Sequence, residues 1–112
     1  MNNLIEKEKQ AIKELVEGLR KLYGENLSRV ILYGLKARGE ATEESDIDIM
    51  VVLKKIKDKS KELESVIKLS TEIDFKYETL ISVTLQREED YLVKESPLLL
   101  NVRKEGLSLW MK

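Results

Sequence analysis

Asp46 and Asp48 stand two residues apart in the run Ser45-Asp46-Ile47-Asp48-Ile49. On a strand, residues at i and i+2 project from one face, about 7 Å apart along the backbone. Two like charges so placed disfavour each other's ionisation unless something neutralises them. A hard divalent cation does this, and Mg²⁺ or Mn²⁺ takes oxygen ligands of this kind. The competing reading is structural, with Asp46 in solvent at the strand mouth and Asp48 capping a neighbouring loop. A calcium loop does not fit, because Met50 falls where a third oxygen ligand is needed and no glycine follows.

A second segment lies just upstream, Tyr33-Gly34-Leu35-Lys36-Ala37-Arg38-Gly39-Glu40. A glycine at a strand end lets backbone approach phosphate oxygens closely. Lys36 and Arg38 lie between the two glycines and offer positive charge to a phosphate. No Gly-Lys-Ser/Thr closes the segment, so it is not a P-loop. Taken alone, the spacing also suits an ordinary turn.

The elements that must hold these residues are legible from periodicity. Ile5, Ile12, Leu15, Val16, Leu19 and Leu22 recur at helical spacing, with Asn3 as N-cap, Glu6 three residues on and Gly24 as the stop. Val30 to Tyr33 is a short apolar strand. Asp46 to Leu53 is a second, with Asp46, Asp48, Met50 and Val52 on one face and Ile47, Ile49, Val51 and Leu53 on the other. Ser60 opens a helix with Leu63, Val66, Ile67, Ser70, Ile73 and Tyr77 on one stripe. Glu78 to Leu85 alternates as a third strand, placing Glu78, Leu80, Ser82 and Thr84 together. A short helical stretch, Arg87 to Lys94, precedes a helix that starts at Ser96-Pro97 and stops at Gly106. Leu107 to Trp110 reads as a tail packed on the body. The order α-β-β-α-β-α-α predicts an α/β or α+β fold, helices on a small mixed sheet, in one domain over residues 1–112.

Composition narrows the chemistry. Among 112 residues there is no cysteine and no histidine, which excludes thiolate zinc sites, thiol nucleophiles and the usual general base. Carboxylates, hydroxyls, lysines, arginines, backbone groups or a hard cation must do the work. The net charge of −1 argues against a general nucleic-acid or membrane binder. No apolar run approaches the ~20 residues of a membrane span, and Met1 to Gln10 lacks a signal-peptide core, so a cytoplasmic protein is expected.

The two segments together are more specific than either. Gly34-Leu35, ten residues from Lys36 to Ser45, then Asp46-Ile47-Asp48 resembles the signature Gly-Ser, ten residues, Asp-x-Asp of the DNA polymerase β-like nucleotidyltransferase superfamily. Ala37-Arg38-Gly39-Glu40 and Ser45-Asp46-Ile47-Asp48 are worded as in its minimal prokaryotic members. Weaker likeness runs through Ile81-Ser82 and Ser96-Pro97 to Glu105-Gly106. The resemblance implies that Asp46 and Asp48 hold Mg²⁺ (or Mn²⁺) on the triphosphate of ATP, and that Gly34, Leu35, Lys36, Arg38 and Ser45 line the nucleotide site. It also implies a third carboxylate on a neighbouring strand, for which Glu78 is the first candidate and Asp74 the second. Such minimal domains pair with a helical HEPN toxin as its antitoxin, moving AMP from ATP to a tyrosine on the partner. One position departs from the pattern, since Leu35 replaces the signature serine, whose hydroxyl contacts phosphate. That leaves two readings, a weakened adenylyltransferase or a silent antitoxin that masks its partner by contact alone. In either case Leu107, Leu109 and Trp110 are the apolar residues to consider for a partner surface; the alternative is that they close the core.

Overall fold

The computed structural model describes residues 4–42 and 45–112. Asn3, expected as the first N-cap, lies outside them. The first helix, α1 (Glu6–Tyr23), starts after Ile5, whose N–H donates to the Glu8 carboxylate at 3.1 Å. It ends at Gly24, as expected. A 3₁₀ turn (Gly24–Asn26) leads into strand β1 (Leu27–Tyr33). A short helix, α2 (Gly34–Arg38), follows and is closed by Gly39 in the left-handed region, φ 76°. Strand β2 (Ile47–Leu53) comes next, then α3 (Lys59–Tyr77). The cap of α3 is Asp58, which accepts from the Lys61 N–H at 3.2 Å, rather than the expected Ser60. Strand β3 (Ile81–Arg87), helices α4 (Glu88–Val93) and α5 (Pro97–Glu105), and strand β4 (Leu107–Met111) complete the chain. Ser96 caps α5 by accepting from the Leu99 N–H at 3.2 Å, with Pro97 in its first turn.

The strands form one mixed sheet in the order β3-β2-β1-β4. β2 pairs antiparallel with β1 and parallel with β3, and β4 adds antiparallel to the far side of β1. The expected mixed sheet with helices is therefore found, with α2 and β4 added to the expected order. The alternation in β2 sorts as expected. Ile47, Ile49, Val51 and Leu53 pack with Ala11, Ile12, Leu15 and Leu19 of α1 and with Val66 and Ile73 of α3. Met50 and Val52 pack on the other face with Ile31, Tyr91, Leu99 and Val102. These aliphatic side chains lie almost wholly out of water, each worth roughly 1.5–3 kcal/mol of apolar burial.

Two expectations need correction. Leu107 to Trp110 is no tail: Leu107 pairs with Leu32 and Trp110 with Val30 as the edge of the sheet. Gly106 makes this possible, because a Cβ there would lie 2.5 Å from the Val102 carbonyl oxygen and 2.6 Å from Ile31 Cγ2. The third strand also starts later than alternation implies. Asp74 holds the exit from α3: its carboxylate accepts from Thr79 Oγ1 at 2.8 Å and from the Ile81 N–H at 3.1 Å. Glu78 is the left-handed C-cap of α3, φ 55°, and lies outside the strand.

Candidate active site

β1 and β2 run antiparallel, so the C-terminal end of β1 lies beside the start of β2, and Tyr33 pairs with Asp48. The chain leaves β1 through Gly34 at φ 72° and coils at once into α2. A Cβ built on Gly34 would fall 2.3 Å from Asp48 Oδ2. The carboxylate of Asp48 thus rests directly over the Gly34 backbone, and any side chain at residue 34 would displace it. This contact joins the two sequence segments into one site.

Asp46, exposed, immediately precedes β2, and Asp48 is half-buried on it. Burial holds the Asp48 carboxyl above the usual aspartate range, and the charge of Asp46 pushes it the same way, while Arg38 pulls it back. Asp48 is thus an ionisable group whose charged form its own surroundings disfavour. The donor set fits a hard cation: two carboxylates projecting at the end of one strand, with a glycine leaving the space beside them free of side chain.

The other expected site residues divide by which side of α2 they occupy. Leu35 and Arg38 face outward. Leu35 is 41% exposed and belongs to neither core cluster. Arg38 donates to Glu40 at 3.1 Å and to Glu105, at the end of α5, at 3.3 Å. Both pairs are solvent-exposed, so exchanging one carboxylate for a phosphate costs little. Lys36 and Ala37 face inward. The Lys36 ammonium is buried, 3.0 Å from Glu8 Oε2, and donates to the Thr42 carbonyl at 3.3 Å. Lys36, expected at phosphate, is held inside the fold by Glu8 and the Thr42 carbonyl. Ser45 holds the turn before Asp46: its hydroxyl accepts from the Thr42 N–H at 3.1 Å, and its own N–H donates to the Thr42 carbonyl at 3.1 Å.

Glu78 is not brought to the aspartates. It lines a separate cleft of about 580 Å³ with Ile5, Lys36, Thr42, Ser45 and Leu80, to which neither aspartate contributes. The runner-up, Asp74, is occupied in capping the α3 exit. The residues that do flank Asp48 across the sheet are Tyr33 on β1 and Ser82 on β3, with Thr84 beside Met50. The Tyr33 hydroxyl lies 3.5 Å from Thr84 Oγ1, reaching across β2. Burial raises the Tyr33 phenol above its ordinary value. Asp48 therefore sits in a row of neutral hydroxyls. Among the described residues no group of three acidic or metal-ligating side chains converges. The polar parity of Ser82 and Thr84 was visible in the sequence; that Tyr33 lies on the same face follows only from the β1–β2 register.

Comparison with known proteins supplies the family and the fold. Residues 12–104 match the family model described as "Nucleotidyltransferase domain". A candidate protein adenylyltransferase of Methanocaldococcus jannaschii is 39% identical over 82 residues, covering 73% of this chain and 76% of the relative. Among solved structures, a candidate nucleotidyltransferase from Sulfolobus solfataricus superposes with a TM-score of 0.62 at 21% identity, covering 100% of this chain and 93% of the other. A chain of the tri-AMPylated Shewanella oneidensis HEPN toxin in complex with its MNT antitoxin superposes with a TM-score of 0.56 at 20% identity, covering 93% and 72%. At these identities the two structures establish the shared fold.

Proposed function

Because the chain belongs to the nucleotidyltransferase domain family, we propose that it is an adenylyltransferase that uses Asp46 and Asp48 to hold a divalent cation on ATP and passes AMP to a protein hydroxyl. The observation that carries this reading is the seat of the Asp48 carboxylate on Gly34, within reach of the charge of Asp46. Mg²⁺ or Mn²⁺, when bound, neutralises phosphate charge and orients the α-phosphoryl group. The acceptor hydroxyl oxygen bonds to the α-phosphorus, its proton passing to water, as the bond to the β-phosphate bridging oxygen breaks, and pyrophosphate leaves. Gly34 lets the phosphates approach the backbone, and Arg38 exchanges a surface carboxylate for phosphate. Acceptance by a tyrosine of a HEPN-type partner, which would make the chain an antitoxin, is supported by the likeness to the fold seen with an AMPylated HEPN toxin.

A second reading, a silent partner that binds without transfer, is favoured by Leu35 at the signature serine and by neutral Ser82 beside Asp48. One experiment separates the two. Mn²⁺ with ATP is expected to raise the melting temperature, since a ligand bound only by the folded state stabilises it. Asp48→Asn and Gly34→Ala are both expected to remove that shift. Labelled AMP reaching a HEPN partner supports the enzyme; a normal shift without transfer supports the silent partner. A shift that survives both substitutions overturns the site.

A further inference from the structure

Lys36 lies between the two glycines, where a phosphate ligand is expected, yet it is 2% exposed and turned into the protein. Its partner Glu8, in the first turn of α1, is 5% exposed and bonds to it through both oxygens, at 3.0 and 3.2 Å. Glu8 also accepts from the Ile5 N–H, so α1 fixes the carboxylate on a second side. The third contact of Lys36 is the carbonyl of Thr42, at 3.3 Å. That same carbonyl accepts from the Ser45 N–H, and the Thr42 N–H donates to Ser45 Oγ. Ser45 is the residue before Asp46. A continuous chain of contacts thus runs from α1 through Glu8, Lys36, Thr42 and Ser45 to the backbone that presents Asp46.

A buried ion pair is seldom retained for stability, because desolvation offsets most of the attraction. This one is in register with something that needs holding. Asp48 is fixed by β2 and Gly34, whereas Asp46 precedes the strand, exposed, and depends on the turn behind it. A cation ligand must be held within about 0.5 Å of its working position to bind well.

We propose that Lys36 is a positioning residue, which acts through Thr42 and Ser45 to hold Asp46 at the separation from Asp48 that a single cation requires. The inference rests on the metal–nucleotide reading of the two aspartates. The Lys36 charge neutralises Glu8 and orders a carbonyl; it does not meet the nucleotide.

The test reads the Mn²⁺ concentration needed for half-maximal ATP binding, alongside the thermal melt. Glu8→Gln with Lys36→Met removes both charges without leaving one unpaired. It is expected to stay folded while the Mn²⁺ requirement rises about tenfold or more. Glu8→Lys with Lys36→Glu reverses the ion pair and keeps the buried salt bridge, but places a carboxylate against the Thr42 carbonyl. It is expected to melt below the parent, and still to need the higher Mn²⁺ concentration. Should the neutral pair fail to fold, the reversed pair alone decides. An unchanged Mn²⁺ requirement in a folded variant overturns the role of Lys36. Asp48→Asn distinguishes that failure from failure of the site: if it too leaves Mn²⁺-dependent ATP binding intact, the two aspartates are not the site at all.

Discussion

At the scale of single residues the candidate site sets folding against the binding proposed for it. Burial and the charge of Asp46 hold the Asp48 carboxyl above its ordinary value. A carboxyl with a raised folded pKa contributes most below its unfolded value, and that contribution is lost as pH rises through the folded value. At neutral pH the ligand-free protein therefore carries a penalty at Asp48. Asp48→Asn is expected to raise the ligand-free melting temperature at pH 7. The gain should shrink as pH falls through the Asp48 titration, where the parent carboxyl becomes neutral too. Paired melts from pH 7 down to pH 4 check this; a variant that melts below the parent at pH 7 would show that Asp48 stabilises the fold rather than straining it. With Mn²⁺ and ATP the order should reverse, because only the parent gains. Asp46 and Asp48 were legible because a strand has period two and the glycine spacing is short-range. Lys36 was not, since its partner Glu8 lies 28 residues away and nothing local tells an inward lysine from an outward one.

At the scale of elements, what the sequence revealed tracks element length and continuity. α1, β2 and α5 were readable from period and stop signals: Ile12, Leu15 and Leu19 of α1 and the alternating residues of β2 are buried as the pattern requires, whereas Ile5 and Leu22 at the two ends of the α1 stripe are exposed. The five-residue elements were not. α2 begins with a glycine, and β4 has too few residues to establish alternation. The misplacement of Glu78 has a different cause. Strand parity carried back from Ser82 and Thr84 runs through residues that form a helix exit, and a left-handed residue breaks strand alternation. α2 carries the prediction that belongs to this scale. It turns Lys36 and Ala37 inward and Leu35 and Arg38 outward, so the residue that departs from the signature is not anchoring the helix. Leu35→Ser is expected to change stability by less than about 0.5 kcal/mol, as for surface substitutions. It restores a hydroxyl donor beside Gly34, and a donor aimed at a transferring phosphoryl group is worth ~10-fold or more in rate. Melts and a labelled-ATP transfer assay measure the two effects. A variant that folds normally and gains neither nucleotide affinity nor transfer would favour the silent-partner reading.

At the scale of the whole molecule, the two faces of the sheet have different tasks. One is covered by α1 and α3 and carries most of the core. The other is shared: Leu99 and Val102 of α5, with Tyr91, cover Ile31, Met50 and Val52, while Tyr33 and Asp48, farther along the same strands, are only half-buried. α5 is also tied to the site's edge, because Glu105 at its end pairs with Arg38. β4 follows directly from α5 through Gly106, so the helix, the edge strand and the site margin form one mechanical unit. Leu99, 2% exposed, is its central apolar contact. Leu99→Ala is expected to cost about 2–5 kcal/mol, the usual range for a buried leucine reduced to alanine. Asp46, Asp48 and Gly34 are themselves unaltered, so the molecules that remain folded are expected to keep the site. ATP and Mn²⁺ at 100 times their dissociation constant contribute about 2.7 kcal/mol to a competent folded state. They should therefore recover a large part of the loss in Leu99→Ala and none of it when Asp48→Asn is added. Urea unfolding of the two variants with and without ligand measures both quantities. Equal recovery in both would mean that the ligand stabilises the protein from somewhere other than the paired aspartates.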